Sequence, residues 1–155
     1  MRKLSSGNGR SERSKGVLIC DDEPLMRQLL ATVIEMHDGL HVAGQAANGV
    51  VAISEAERLQ PAVIILDLSM PQLTGLDALP EIKRVAPDAL VLVFSGFAAA
   101  MVAADVLALR ADRYLEKGAS PAPTIKTIED LIQARPPLPR RFPKSNAGPR
   151  PGPPR

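Results

Sequence analysis

Pro61-Ala62-Val63-Ile64-Ile65-Leu66-Asp67-Leu68-Ser69-Met70-Pro71 is the stretch on which the reading of this 155-residue chain turns. From Ala62 to Leu66 no residue is polar and β-branched Val and Ile predominate, which predicts a strand buried on both faces. The run stops at Asp67, and Pro71 bars its simple continuation. A carboxylate at the C-terminal tip of a central strand stands where open α/β sheets place their ligands. The same Asp could also do no more than turn the chain or cap a loop. A second apolar run, Val17-Leu18-Ile19-Cys20, also ends in acid, at Asp21-Asp22-Glu23, and favours the first reading.

The pattern repeats on both sides of the central run. After the strand at 17–20, Pro24 suits the first turn of a helix. Leu25, Leu29, Leu30, Val33, Ile34 and Met36 then recur at helical spacing toward Gly39, and are expected to be core contacts. A strand over 40–46 precedes a helix opened by Asn48-Gly49, with Val50, Val51, Ile53, Ala56 and Leu59 as its apolar side. Past Asp67, Gly75 relaxes the loop, and Leu76, Leu79, Ile82 and Val85 mark a helix in which Pro80 predicts a late start or a bend. A fourth strand, 89–94, ends at Ser95-Gly96. An alanine-rich helix over 98–109 follows, apolar on most sides and expected to be loosely held or to bind a partner, since alanines bury little area each. The strand at 112–115 ends at Glu116-Lys117-Gly118, and a last helix is expected over 124–134. Strands alternating with helices predict an α/β fold: a five-stranded parallel sheet with helices on both faces.

Composition sets the limits of this unit. The net charge of +2 conceals an asymmetry: residues 1–15 hold five Lys/Arg and one acid, and residues 135–155 hold six Lys/Arg and no acid. That leaves 8 of the 19 basic and 16 of the 17 acidic residues in 16–134, a net charge of −8 for the expected domain. The basic character therefore belongs to the ends, and is poor support for specific nucleic-acid binding by the middle. Residues 1–15, polar and basic, are expected to be a disordered arm. Residues 135–155, with eight prolines, are expected to be an extended or disordered tail. The lone Cys20 lies in an apolar strand and reads as a small hydrophobe. Neither an apolar signal segment nor an 18-residue apolar run occurs, so a soluble cytoplasmic protein with no membrane partner is expected.

If the strands run parallel, Asp21/Asp22, Asp67, Ser95 and Lys117 line one edge of the sheet. Like charges so placed repel; two at 4 Å cost about 4 kcal/mol at an effective dielectric near 20. All-oxygen ligands with room for water suit Mg²⁺. Lys117 offers a cationic head to phosphate oxygens and Ser95 a hydroxyl donor, so a carboxylate among them can act as a nucleophile toward a phosphoryl group. Each residue has a plainer alternative: Asp21-Asp22 as a helix cap, Ser95 as the cap of the helix near Ala98, Lys117 as a solvated lysine.

The segments Val17-Leu18-Ile19-Cys20-Asp21-Asp22-Glu23-Pro24, Leu66-Asp67-Leu68-Ser69-Met70-Pro71 with Gly75, Ser95-Gly96, and Tyr114-Leu115-Glu116-Lys117-Gly118-Ala119 resemble a response-regulator receiver domain of two-component signalling. Ala46-Ala47-Asn48-Gly49 and Lys117-Gly118-Ala119-Ser120-Pro121 give it the flavour of LuxR/NarL-type receivers. The resemblance covers residues 16–134 and implies a flavodoxin-like sheet of order 2-1-3-4-5. It also implies Asp67 as phosphoacceptor, and Mg²⁺ held by Asp21, Asp22, Asp67 and the main-chain carbonyl of Ser69. Lys117 would contact the phosphoryl group, with Ser95 and Tyr114 as the switch pair. The donor would be a histidine kinase or phosphotransfer protein; an unknown protein would be the downstream target, and a phosphorylation-dependent dimer is compatible with this scheme. Two departures stand out. Pro121 and Pro123 predict a shifted or short last helix, and no DNA-binding output domain follows. The rival readings are a truncated or variant DNA-binding transcriptional regulator and an Asp-nucleophile phosphatase. The phosphatase needs a second Asp where this chain has Ser69.

Overall fold

A computed structural model describes residues 14–118 and 121–135; the arm and tail expected at the two ends fall almost wholly outside the described residues. Ten elements alternate along the chain: β1 (Lys15–Cys20), α1 (Pro24–Glu35), β2 (Leu40–Ala46), α2 (Gly49–Leu59), β3 (Val63–Leu66), α3 (Gly75–Val85), β4 (Leu90–Ser95), α4 (Ala99–Ala108), β5 (Arg113–Glu116) and α5 (Ala122–Ala134). The strands form one parallel sheet in the order β2-β1-β3-β4-β5, the flavodoxin-like order expected. The run that ends in Asp67 is its middle strand.

Period-two alternation sends each strand's side chains into two separate cores. Val17, Ile19, Val63, Ile65, Leu92 and Phe94 pack with Leu30 and Ile34 of α1 and Ile128 and Leu131 of α5. Leu18, Cys20, Ile64, Leu66, Val91 and Val93 pack with Ala52, Ala56, Leu79, Ile82 and Val106 of α2, α3 and α4. With both faces covered, the buried stretches of the three central strands, Val17–Cys20, Val63–Leu66 and Val91–Phe94, are apolar throughout.

Several helix expectations need correction. Of the α1 stripe only Leu30 and Ile34 are buried; Leu25, Leu29 and Met36 are 60%, 43% and 79% exposed, because a helix lying on a sheet buries one narrow row of its apolar residues. In α2, Ala52 and Ala56 are buried while Val50 and Val51 face outward. α3 starts at Gly75, not late. Thr74 caps it by accepting from the Asp77 N–H at 3.2 Å, and Pro80 lies in the second turn, where it removes one ladder bond to the carbonyl of the exposed Leu76. α5 is neither late nor short: Pro121 is its N-cap and Pro123 falls in its first turn, where a missing N–H leaves nothing unsatisfied. α4 matches its composition, with no side-chain cap and Val106 as the only buried residue among its described side chains. Among the described residues no helix is long and apolar enough to cross a membrane.

Two glycines let the loops close over the sheet edge. A Cβ on Gly75 would lie 1.9 Å from the Asp67 carbonyl oxygen, and one on Gly49 would lie 2.3 Å from that of Leu73. The bare backbones allow Gly75 N–H to reach Leu68 O and Gly49 N–H to reach Leu73 O, each at 3.0 Å.

Candidate functional site

β1 and β3 are neighbours in register, Cys20 opposite Leu66, so the residues that follow them leave the sheet side by side. The Asp67 N–H continues the ladder to Cys20 O at 2.9 Å, and the Asp21 N–H does so on the other side to Ala46 O at 3.0 Å. Both carboxylates therefore hang from backbone still held by the sheet. Asp21 and Asp67 are buried and Asp22 is exposed, yet one oxygen from each lies within 4.8 Å of the others.

β5 supplies the cation. Its end is held beside β4 by the Lys117 N–H to Ser95 O bond of 2.8 Å. From there Lys117 Nζ reaches Asp67 Oδ2 at 3.1 Å and Asp21 Oδ2 at 2.7 Å, passing over the Phe94 ring at 5.9 Å. Thus the carboxylates of two strand ends and the amine of a third converge, as the sequence predicts.

The electrostatics are incompletely balanced. Burial raises the Asp67 carboxyl above its ordinary value and the Asp21 charge adds to this, while the Lys117 and Ser69 hydrogen bonds pull the other way without prevailing. Burial alone would lower Lys117; its bonds to Asp21 and Asp67 outweigh that and raise it. Asp67 Oδ1 accepts from the Ser69 N–H at 3.2 Å and Asp21 Oδ1 from the Glu23 N–H at 2.9 Å. Asp21 Oδ2 remains buried without a properly directed hydrogen bond. The Lys117 ammonium forms an ion pair with it at 2.7 Å, in a geometry short of a well-directed hydrogen bond. A buried carboxylate oxygen lacking a donor, beside two further carboxylates and with one lysine among them, fits a hard divalent cation bound through oxygen.

The plainer readings fail on geometry. The N-cap of α1 is Glu23, so Asp21 and Asp22 do not cap it; Asp21 instead closes a turn in the preceding loop. Ser95 is not the cap of α4, whose N-cap is Ala98; the serine is fully buried and its Oγ accepts a long, 3.5 Å bond from the Phe97 N–H. The Tyr114 hydroxyl donates to the Phe97 carbonyl oxygen. Burial raises its pKa, opposed by the hydroxyl of Ser95. Ser95, Phe97 and Tyr114 thus meet at the β4–α4 turn. A Cβ on Gly96 would meet nothing within 4 Å.

Arg27 was not expected here. Its Nη1 donates to Asp21 O at 2.7 Å. An arginine in an amphipathic helix reads as part of a solvated face, and only the fold shows it turned back toward the acids.

A family model described as the response regulator receiver domain matches residues 17–129. A protein-glutamate methylesterase/protein-glutamine glutaminase of Treponema pallidum is 44% identical over 103 residues, covering 65% of this chain and 26% of that protein. The chemotaxis protein CheY of Thermotoga maritima is 31% identical over 117 residues, covering 76% of this chain and 97% of CheY. The crystal structure of the response regulator domain of Thermotoga maritima CheB superposes with a TM-score of 0.74 at 28% identity, covering 80% of this chain and 100% of that one. The chain thus spans about a quarter of the methylesterase and nearly all of CheY.

Proposed function

Because this chain belongs to the response regulator receiver domain family of two-component systems, we propose that residues 16–134 accept a phosphoryl group on Asp67 from the histidine of a kinase or phosphotransfer protein. The observation that carries the reading is the meeting of Asp21, Asp22 and Asp67 in one cluster with Lys117 against two of them.

In the reaction an Asp67 oxygen attacks phosphorus, and the bond to the donor breaks. The donor nitrogen keeps that electron pair, and Asp67 becomes an acyl phosphate. Lys117 sits 3.1 Å from the reacting carboxylate and pairs with phosphoryl oxygens as charge passes to them. Asp21, Asp22, Asp67 and the main-chain carbonyl of Ser69 would hold Mg²⁺. When bound, the ion neutralises the crowded carboxylates and the incoming phosphoryl oxygens. Burial of Ser95 beside the Phe97 turn places a hydroxyl donor one strand away. Drawing it toward the new phosphate frees space for Tyr114 and repacks the surface of α4, β5 and α5, against which a downstream protein or second copy would read the state.

Incubation with acetyl phosphate and Mg²⁺ tests this. Mass spectrometry should show one added phosphoryl group, absent in Asp67→Asn and after addition of chelator. Equal labelling of the Asp67→Asn protein refutes the assignment. Continuous turnover of a phosphomonoester would instead favour a phosphatase.

A further inference from the structure

We infer that Arg27 is a positioning residue for the Mg²⁺ site, acting through the Asp21–Asp22 peptide; the inference rests on reading the acidic cluster as that site. Asp21 is the first residue past the end of β1, and its hydrogen-bonding groups can be followed one at a time. Its N–H goes to Ala46 O and its Oδ1 accepts from the Glu23 N–H. Its carbonyl oxygen has left the strand ladder and accepts from Arg27 Nη1 at 2.7 Å. Only Oδ2 is left without a directed bond, on the side of Lys117 and Asp67.

A peptide group is planar, so holding the Asp21 carbonyl also fixes the N–H of Asp22 and the direction in which Asp22 departs. Asp22 is the one exposed acid of the three, without burial to orient it. Arg27 can do this because its own backbone is anchored: its N–H bonds Glu23 O at 3.1 Å within α1, and its side chain is half-buried. The guanidinium fork gives the carbonyl a fixed, charged donor. Groups that orient ligands in this way are worth roughly 10- to 100-fold in metal affinity.

Calorimetric titration with Mg²⁺ of the 155-residue protein and of its Arg27→Gln and Arg27→Lys variants, with amide spectra recorded in parallel, tests the inference. Arg27→Gln should bind about tenfold more weakly, and Arg27→Lys, which keeps a donor and the charge, should recover part of the loss. In the metal-free spectra of both variants the Asp22 and Glu23 amides should shift while those of β4 stay in place. Unchanged affinity in Arg27→Gln overturns the inference, as does tighter binding, which would mean that the guanidinium acts only as a repelling charge. Should Arg27→Gln not fold, undiminished affinity in Arg27→Lys decides against it equally. Failure of the wild-type protein to bind Mg²⁺ removes the underlying reading, a result separate from both.

Discussion

At neutral pH and without a divalent ion, Asp67 is a charge held where burial disfavours it. Its ordinary value is 3.8, and in the fold burial and the neighbouring Asp21 raise it despite the hydrogen bond from Lys117. The folded state therefore holds the proton more tightly than the unfolded chain. Stability attributable to this group is highest below 3.8 and declines as pH rises through the window up to the folded value, beyond which the full cost of the charged form remains. Asp67→Asn mimics the neutral form. In chelator at pH 7 it should melt above wild type, and the gap should close below pH 3.8. A lower melting temperature for the variant at pH 7 would mean that the Lys117 bond outweighs desolvation. Cys20, one residue before the acids, has its thiol pushed far up by burial and by Asp21. It should resist alkylation in the native protein until denaturant exposes it.

The elements work as brackets that carry these residues, and the sharpest constraint is at the start of α3. Gly75 lies under the Asp67 carbonyl, and a methyl group there would meet backbone, not a flexible side chain. Gly75→Ala must move either α3 or the Asp67 peptide. It should cost about 3 kcal/mol in urea unfolding and slow labelling by acetyl phosphate, whereas Gly96→Ala, which meets open space, should leave stability nearly unchanged. Equal stabilities for the two variants would contradict this account. The strands and the meeting of the acids at their ends were legible in the sequence because buried parallel strands are written as uninterrupted apolar runs with polar residues at their ends. The strand order followed only from the resemblance to receiver domains. Helix faces were less legible. Leu25, Leu29 and Met36 carry the same letters as core leucines but face outward, since the helix axis over the sheet selects the buried row. Nor could spacing reveal that Gln60, Gln72 and Arg110 adopt positive φ. Gln60 closes α2 in that conformation, its amide reaching across to Val85 O at 2.8 Å.

For the whole molecule, the cluster joins chain segments 46 residues apart in sequence, from Asp21 to Asp67, and the unfolded chain has no reason to bring them together. An ion bound across them acts on the folded state alone, so its binding energy appears as folding stability. At a free concentration ten times its dissociation constant, Mg²⁺ should stabilise the protein by about 1.4 kcal/mol, seen as a rise in melting temperature that chelator reverses. The domain's charge of −8 attracts any cation weakly and at many places, so a site-specific effect must be separated from screening. Screening should persist with equal ionic strength supplied by NaCl and should survive substitution in the pocket. Site binding should do neither: Asp21→Asn should remove most of the Mg²⁺ increment while leaving the response to NaCl intact. An increment of the same size in Asp21→Asn would assign the stabilisation to the acidic surface as a whole, and the cluster at the ends of β1 and β3 would lose its claim to the ion.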